Sequence, residues 1–265
     1  MFTEKKYYEI DRMSRSQLVY LDQGFFKYMH KYVLKTLDED TTAMKIGRAF
    51  HKLILEGKNQ FDNEFVVGKK NTKEGKELLE KGFTLITPSE FSNIQKMDTA
   101  IKDNPYMTKY IKNAVMTESP IFYKYKDVEF KSLLDGYFID EDDHVIFDLK
   151  TTCSHDGYDS KIMKNGGSEQ IFLYSYGYEQ VYGVKPKFLH FAVSKSAPFE
   201  TKILDVSSFY EIGKARVNRL IELYKKFLVT PKNEIINPTL IETVLPPDWA
   251  VNEILTDEEV ENVII

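Results

Sequence analysis

In the stretch HVIFDLKTT, an apolar run passes directly into Asp148, then one leucine, then Lys150. A charge of either sign in a buried strand is costly unless something compensates it. On a strand, residues i and i+2 share one face, roughly 6.6 Å apart, so Asp148 and Lys150 point the same way. Asp135 lies on the preceding apolar segment, and a hairpin can set it beside Asp148. Two convergent carboxylates form an oxygen-rich site suited to a hard divalent cation, Mg²⁺ or Mn²⁺. A lysine beside them is placed to hold or activate a water near such an ion. The competing reading is a surface Asp–Lys pair along one strand face.

Two further sets of residues could join this chemistry. His51, in GRAFHKLILEG, falls four residues after Gly47 and so on the same helix face. A small residue at 47 would let that helix pack closely on a sheet while the imidazole reaches past its edge as an added ligand. An ordinary half-buried histidine is the plain alternative. Gln170, Tyr174 and Tyr178 fall at i, i+4 and i+8. That stripe is either the boundary of an amphipathic helix or one wall of a groove that hydrogen-bonds phosphates and stacks on sugars or bases.

Several elements must carry these residues. Residues 14–37 read as one helix with Ser14 or Ser16 as its cap, and 45–57 as a second that stops at Gly57. The lysine-dense stretch 68–82 reads as a loop with a short helix. Residues 88–115 read as helical, opened by the capping pattern Thr87-Pro-Ser-Glu90 and broken at Pro105. Strands follow over 121–130, 131–140 and 144–152, a meander with a turn near Lys126-Asp127. A glycine-containing loop leads to a helix over 168–183, strands over 187–195 and 200–206, and a helix over 207–228. The class expected is α/β, an α+β mixed sheet flanked by helices.

Composition excludes other chemistries. The chain has 265 residues, 42% of them hydrophobic, enough for one large domain. A single cysteine, Cys153, excludes an internal disulfide framework and all-cysteine metal sites. There is no GxGxxG, no HExxH and no phosphate-loop spacing. No apolar run reaches the ~18 residues of a membrane span, and the N-terminus lacks the apolar core of a signal peptide, so a cytoplasmic location is expected. The net charge is −5. Residues 229–265 hold one Lys against eight Asp or Glu, a net of −7, which leaves the rest of the chain at +2. A near-neutral body with a local basic groove is compatible with DNA binding. The acidic segment 229–265, with four of the nine prolines, is expected to be an extension that docks through Trp249 and Val263-Ile264-Ile265 and does not touch DNA.

Taken in order, G-x-x-x-H, Asp135, D-L-K-T-T and Q-x-x-x-Y resemble the PD-(D/E)XK nucleases of the RecB type, and most of all the RecE-type (exodeoxyribonuclease VIII-like) phage exonucleases. Ser14-Arg-Ser16-Gln-Leu18 matches their S-x-S-x-L opening, while Leu134 stands where many relatives have proline. The resemblance implies a restriction-endonuclease-like core over 1–228. It implies His51, Asp135, Asp148 and the Leu149 carbonyl as ligands of Mg²⁺, with Mn²⁺ able to substitute. It implies Lys150 as the catalytic lysine, with Asp135 and Asp148, and Gln170 and Tyr174 on the helix beside the site. Glu118 would be a further acidic ligand just before the first strand, and Thr151, Thr152 and Ser16 would contact phosphates. It also implies an exonuclease on ends of double-stranded DNA, acting 5′ to 3′ in a homo-oligomeric ring and feeding recombination with a single-strand annealing partner. Restriction-type or CRISPR-associated nucleases of the same fold, and a non-catalytic DNA-binding module, are the alternatives. The CRISPR-associated relatives carry a four-cysteine iron–sulfur cluster that one cysteine cannot build.

Overall fold

The computed structural model describes residues 4–37, 41–141 and 143–236. The acidic segment from 237 onward, with Trp249 and the terminal Val263-Ile264-Ile265, lies outside the described residues. The chain divides into two units, Met1–Val229 and Thr230–Ile265.

The first unit begins with α1 (Glu4–Glu9), α2 (Arg15–Tyr20) and α3 (Phe25–Tyr28), followed by α4 (Thr42–His51) and α5 (Lys58–Glu64). Two short strands, β1 (Phe65–Val67) and β2 (Thr84–Ile86), pair in parallel around α6 (Lys73–Glu80). Next come α7 (Pro88–Asp103) and α8 (Pro105–Lys112), then the meander β3 (Met116–Tyr125), β4 (Val128–Asp140) and β5 (Asp143–Thr152). A crossover through α9 (Tyr158–Lys164) and α10 (Gly167–Tyr182) leads to β6 (Lys187–Ser194), β7 (Thr201–Asp205) and α11 (Tyr210–Val229). The second unit contributes α12 (Lys232–Ile236).

Strands β3 to β7 form one sheet in sequence order. It is mixed, because β5 and β6 are parallel while the other neighbours are antiparallel. The expected mixed sheet flanked by helices is therefore present. Strand β5 has a neighbour on each side and helices on each face, which is why its sequence is nearly continuous in apolar residues. On one face Val145, Phe147 and Leu149 join Phe191 and Val193 in a core with Phe50 of α4, Met97 of α7 and Met107 of α8. Phe147 and Phe191 stack with centroids 5.1 Å apart. Gly136 makes room for that ring, since a Cβ there would lie 2.1 Å from Phe147 Cζ. Helix α10 covers the other face and is buried along most of its length. Helix α11 crosses it closely at Gly213, where a Cβ would fall 1.9 Å from the Ser168 carbonyl oxygen.

Local signals in the sequence act as expected at several ends. Thr87 and Glu90 form a capping box at α7, and Glu90 also pairs with Lys45 of α4 at 3.0 Å. Pro105 divides α7 from α8, with Asn104 capping the second helix. Ser14, not Ser16, is the cap of α2, in a box with Gln17. Other expectations need correction. The helix expected over 14–37 is broken at Gly24, whose φ of +102° no ordinary helical residue adopts. Strand β3 starts at Met116, so Glu118 lies inside it rather than before it. A Cβ on Gly47 would meet nothing within 4 Å, so that glycine serves no close approach to the sheet. The glycine-containing loop before α10 holds α9. No helix among the described residues is long and apolar enough to cross a membrane.

Candidate active site

The carboxylates meet where the apolar face covered by α10 gives way to polar side chains. In the β4–β5 ladder Gly136 pairs with Phe147, which sets Asp135 beside Asp148 on the opposite face. Both are buried, Asp148 at 1% exposure. Asp135 Oδ2 accepts the Leu149 N–H at 2.7 Å and lies 3.4 Å from His51 Nδ1. His51 is the last residue of α4, where the helix widens into a π-helical turn over Lys52–Glu56. Such widened turns are frequent at functional sites.

Glu118 completes a cluster. Ligand atoms of His51, Glu118 and Asp135 all lie within 4.8 Å of one another. Glu118 adopts φ +47° in the middle of β3, between the paired residues Thr117 and Ser119. Left-handed backbone in a non-glycine strand residue costs on the order of 1–3 kcal/mol and persists only where its surroundings impose it.

Asp148 is held differently. Its Oδ1 accepts from Gln170 Nε2 at 2.7 Å, and Gln170 Oε1 in turn accepts from the Arg15 guanidinium at 3.2 Å. Its Oδ2 forms an ion pair with Lys150 Nζ at 2.5 Å. The structure thus brings together His51, Glu118, Asp135, Asp148, Lys150 and Gln170. Tyr174, one turn beyond Gln170, is close enough to feel both carboxylates and Arg15.

The phosphate contacts expected of three hydroxyls are less well placed. Thr151 alternates onto the opposite face from Asp148 and pairs with Val193 of the apolar core. The Thr152 hydroxyl is engaged with the Ser154 carbonyl at 2.5 Å. Ser16 is exposed on the first turn of α2. Three other residues reach the site without having been singled out in the sequence. They are Arg15, inside the quoted SRSQL, His190 of β6, which pairs in register with Asp148, and Tyr158, whose hydroxyl is 3.2 Å from His190 Nδ1.

The two carboxylates titrate apart. Burial pushes Asp135 up to about 6, and the negative charge of Asp148 adds to the rise; His51, Lys150 and the Leu149 N–H offset part of it. Burial also raises Asp148, but Lys150 and His190 more than compensate and hold it below the ordinary carboxylate value. Burial lowers His190 to about 4, against the pull of Asp148. An acid whose pKa is raised by burial and by a neighbouring like charge is a group that gains from a bound cation. The donor set of two to three carboxylates and one imidazole suits a hard divalent metal.

Residues 14–234 match the family model described as a PDDEXK-like domain of unknown function (DUF3799). The chain belongs to that family. Among solved structures, it is similar to a candidate exonuclease from Eubacterium rectale, with a TM-score of 0.65 at 15% identity, over 95% of this chain and 98% of that one. A second crystal structure, of SSO0001, superposes with a TM-score of only 0.33 at 14% identity, over 84% of this chain and 98% of that one. No curated protein matches the sequence. The PDDEXK-like family supports a nuclease, and the Eubacterium rectale structure supports the same fold over nearly the whole chain.

Proposed function

We propose that this PDDEXK-like protein is a metal-dependent deoxyribonuclease that hydrolyses phosphodiester bonds from the ends of linear duplex DNA. The observation that carries the reading is the convergence of His51, Glu118 and Asp135, side chains from α4, β3 and β4, beside the Asp148–Lys150 pair. Mg²⁺, or Mn²⁺ in its place, would be held by His51, Asp135, Asp148, the Leu149 carbonyl and Glu118, and when bound lowers the pKa of water and neutralises phosphoryl charge.

The chain's own residues then have separable tasks. Lys150 is partly exposed and pairs with Asp148 through one side of its ammonium, which leaves its other N–H donors for the attacking water and the charged phosphoryl oxygens. Gln170 fixes Asp148 through Oδ1, and Arg15 fixes Gln170 while presenting its remaining donors toward a phosphate. Tyr174 offers a ring and hydroxyl beside the carboxylates. Water oxygen bonds to phosphorus, the phosphorus–oxygen bond to the leaving strand breaks, and that oxygen takes up a proton.

The end-directed, 5′ to 3′ mode, the ring of subunits and a recombination role with a single-strand annealing partner rest on the RecE-type resemblance. Physical support for the ring is that Lys69, Lys70, Lys73, Lys76 and Lys81 are exposed around α6. A closed oligomer would gather such modest basic patches around one channel. Incubation with linear duplex, closed circular and single-stranded DNA, with Mg²⁺ or with EDTA, tests the reading. It expects loss of linear duplex alone, and only with metal. Nicking of closed circles would replace the exonuclease mode with a restriction-type one, and no cleavage at all would leave a DNA-binding module.

A further inference from the structure

One buried polar atom beside this site, His190 Nε2, has no hydrogen-bond partner, while its neighbour Asp148 Oδ2 is met by the Lys150 ammonium at 2.5 Å. They belong to residues paired in register across β5 and β6, hence on the same face of the sheet. A buried polar group left unsatisfied is costly, so a bare imidazole nitrogen one strand away from a buried carboxylate calls for an explanation. His190 is 1% exposed, between Phe188 and Ala192 on this face of the strand. Its other nitrogen, Nδ1, is engaged with the Tyr158 hydroxyl at 3.2 Å.

We infer that His190 is a positioning residue, whose Nε2–H, fixed in that tautomer by a hydrogen bond from Tyr158 to Nδ1, orients the Asp148 carboxylate through one buried water. This rests on the reading of Asp148 as a metal ligand. The opposite tautomer would turn the Nε2 lone pair toward an anionic carboxylate, acceptor against acceptor. With Tyr158 donating, the free Nε2–H meets the Asp148 carboxylate through a water held between the two strands. The three contacts on Asp148 then differ in kind. Gln170 fixes Oδ1 through a neutral amide, Lys150 supplies charge, and His190 supplies a neutral donor. A neutral donor orients a ligand carboxylate without repelling a divalent cation. Partners that orient a metal ligand in this way typically change metal affinity about 10–100-fold when removed.

Two measurements on the full chain test the inference. In metal-free protein labelled with ¹⁵N-histidine, the His190 resonances, assigned by their loss in His190→Gln, should show the neutral ring protonated at Nε2. Tyr158→Phe should shift them toward a tautomer mixture. Calorimetry with Mn²⁺ should show His190→Leu binding about 10–100-fold more weakly. His190→Gln, which restores an N–H near the Nε2 position, should stay close to wild type. Tyr158→Phe, which keeps the imidazole in place, should fall between them and serves if His190→Leu does not fold. A ring protonated at Nδ1, unchanged Mn²⁺ affinity in His190→Leu or in Tyr158→Phe, or a His190→Gln protein as weak as His190→Leu would each overturn it. Wild-type protein that binds no Mn²⁺ would instead overturn the metal-site reading, while the tautomer would still decide the His190–Asp148 contact.

Discussion

Strand β5 presents two unlike faces to two sets of helices. Toward α4 and α7 it presents Val145, Phe147 and Leu149, packed into a dry core. Toward α10 it presents Ile146, then Asp148 and Lys150. The first face stabilises by removing apolar area from water, and nothing there needs a partner of defined chemistry. The second face buries charge, and each charge is met by a named group: Asp148 by Gln170 of α10 and by Lys150 of its own strand, and Asp135 beside it on β4 by His51 of α4 and the Leu149 N–H. If the proposed function holds, one strand carries the fold on one side and the chemistry on the other, and substitutions on its two faces should separate stability from turnover.

The largest separation is expected at Lys150. Lys150→Ala should bind metal and DNA nearly as wild type but cleave on the order of 10⁴-fold more slowly, at the upper end of what a positioned proton-handling group supplies. Turnover within tenfold of wild type would make the lysine a plain partner of Asp148. On the opposite face, Phe147→Ala should cost about 3–5 kcal/mol of stability, because the ring fills the space above Gly136 and stacks on Phe191. Denaturant unfolding checks this, with activity per folded molecule expected to change little. A Phe147→Ala protein as stable as wild type would mean that the two faces do not divide the labour in this way.

A smaller effect of opposite sign is expected at Asp135. Its pKa in the folded protein, about 6, lies above the ordinary carboxylate value, so the folded state binds more protons than the unfolded chain. The stability that this group contributes is present at low pH and is lost as pH rises from about 4 through about 6. In EDTA, Asp135→Asn should therefore be more stable than wild type at pH 7.5, by about 1–3 kcal/mol, with the difference shrinking toward pH 4. Mn²⁺ should reverse the order at pH 7.5 by stabilising wild type alone. Thermal unfolding at several pH values reads both effects, and a less stable Asp135→Asn protein in EDTA at pH 7.5 would contradict the account.

The charged face was readable because strand alternation is strict. Asp148 and Lys150 must share a side wherever β5 ends, and Asp135 follows from the hairpin. The breaks at Thr87 and Pro105 were readable because capping and the missing proline N–H act locally. Three-residue strands such as β1 and β2 carry no pattern long enough to show. The turn at Gly24 is set by how α2 and α3 pack, not by periodicity. Glu118 was named, but its left-handed backbone inside β3 depends on tertiary surroundings that no local signal reports. His190 looked like one more residue of an apolar strand. Its meaning comes from the parallel pairing of β5 with β6, a long-range contact made through α9 and α10. Arg15 stood in a quoted motif, yet only the packing of α2 near α10 shows that it reaches Gln170.

The central claim is that the buried carboxylates exist to hold a divalent cation. Calorimetric titration of the metal-free full chain with Mn²⁺ at pH 7.5, wild type against Asp148→Asn, tests it most directly. The account predicts a saturable site in wild type and affinity reduced at least about tenfold in Asp148→Asn, since one carboxylate and its charge are lost together. Equal Mn²⁺ binding by the two proteins, or none by wild type, would contradict it.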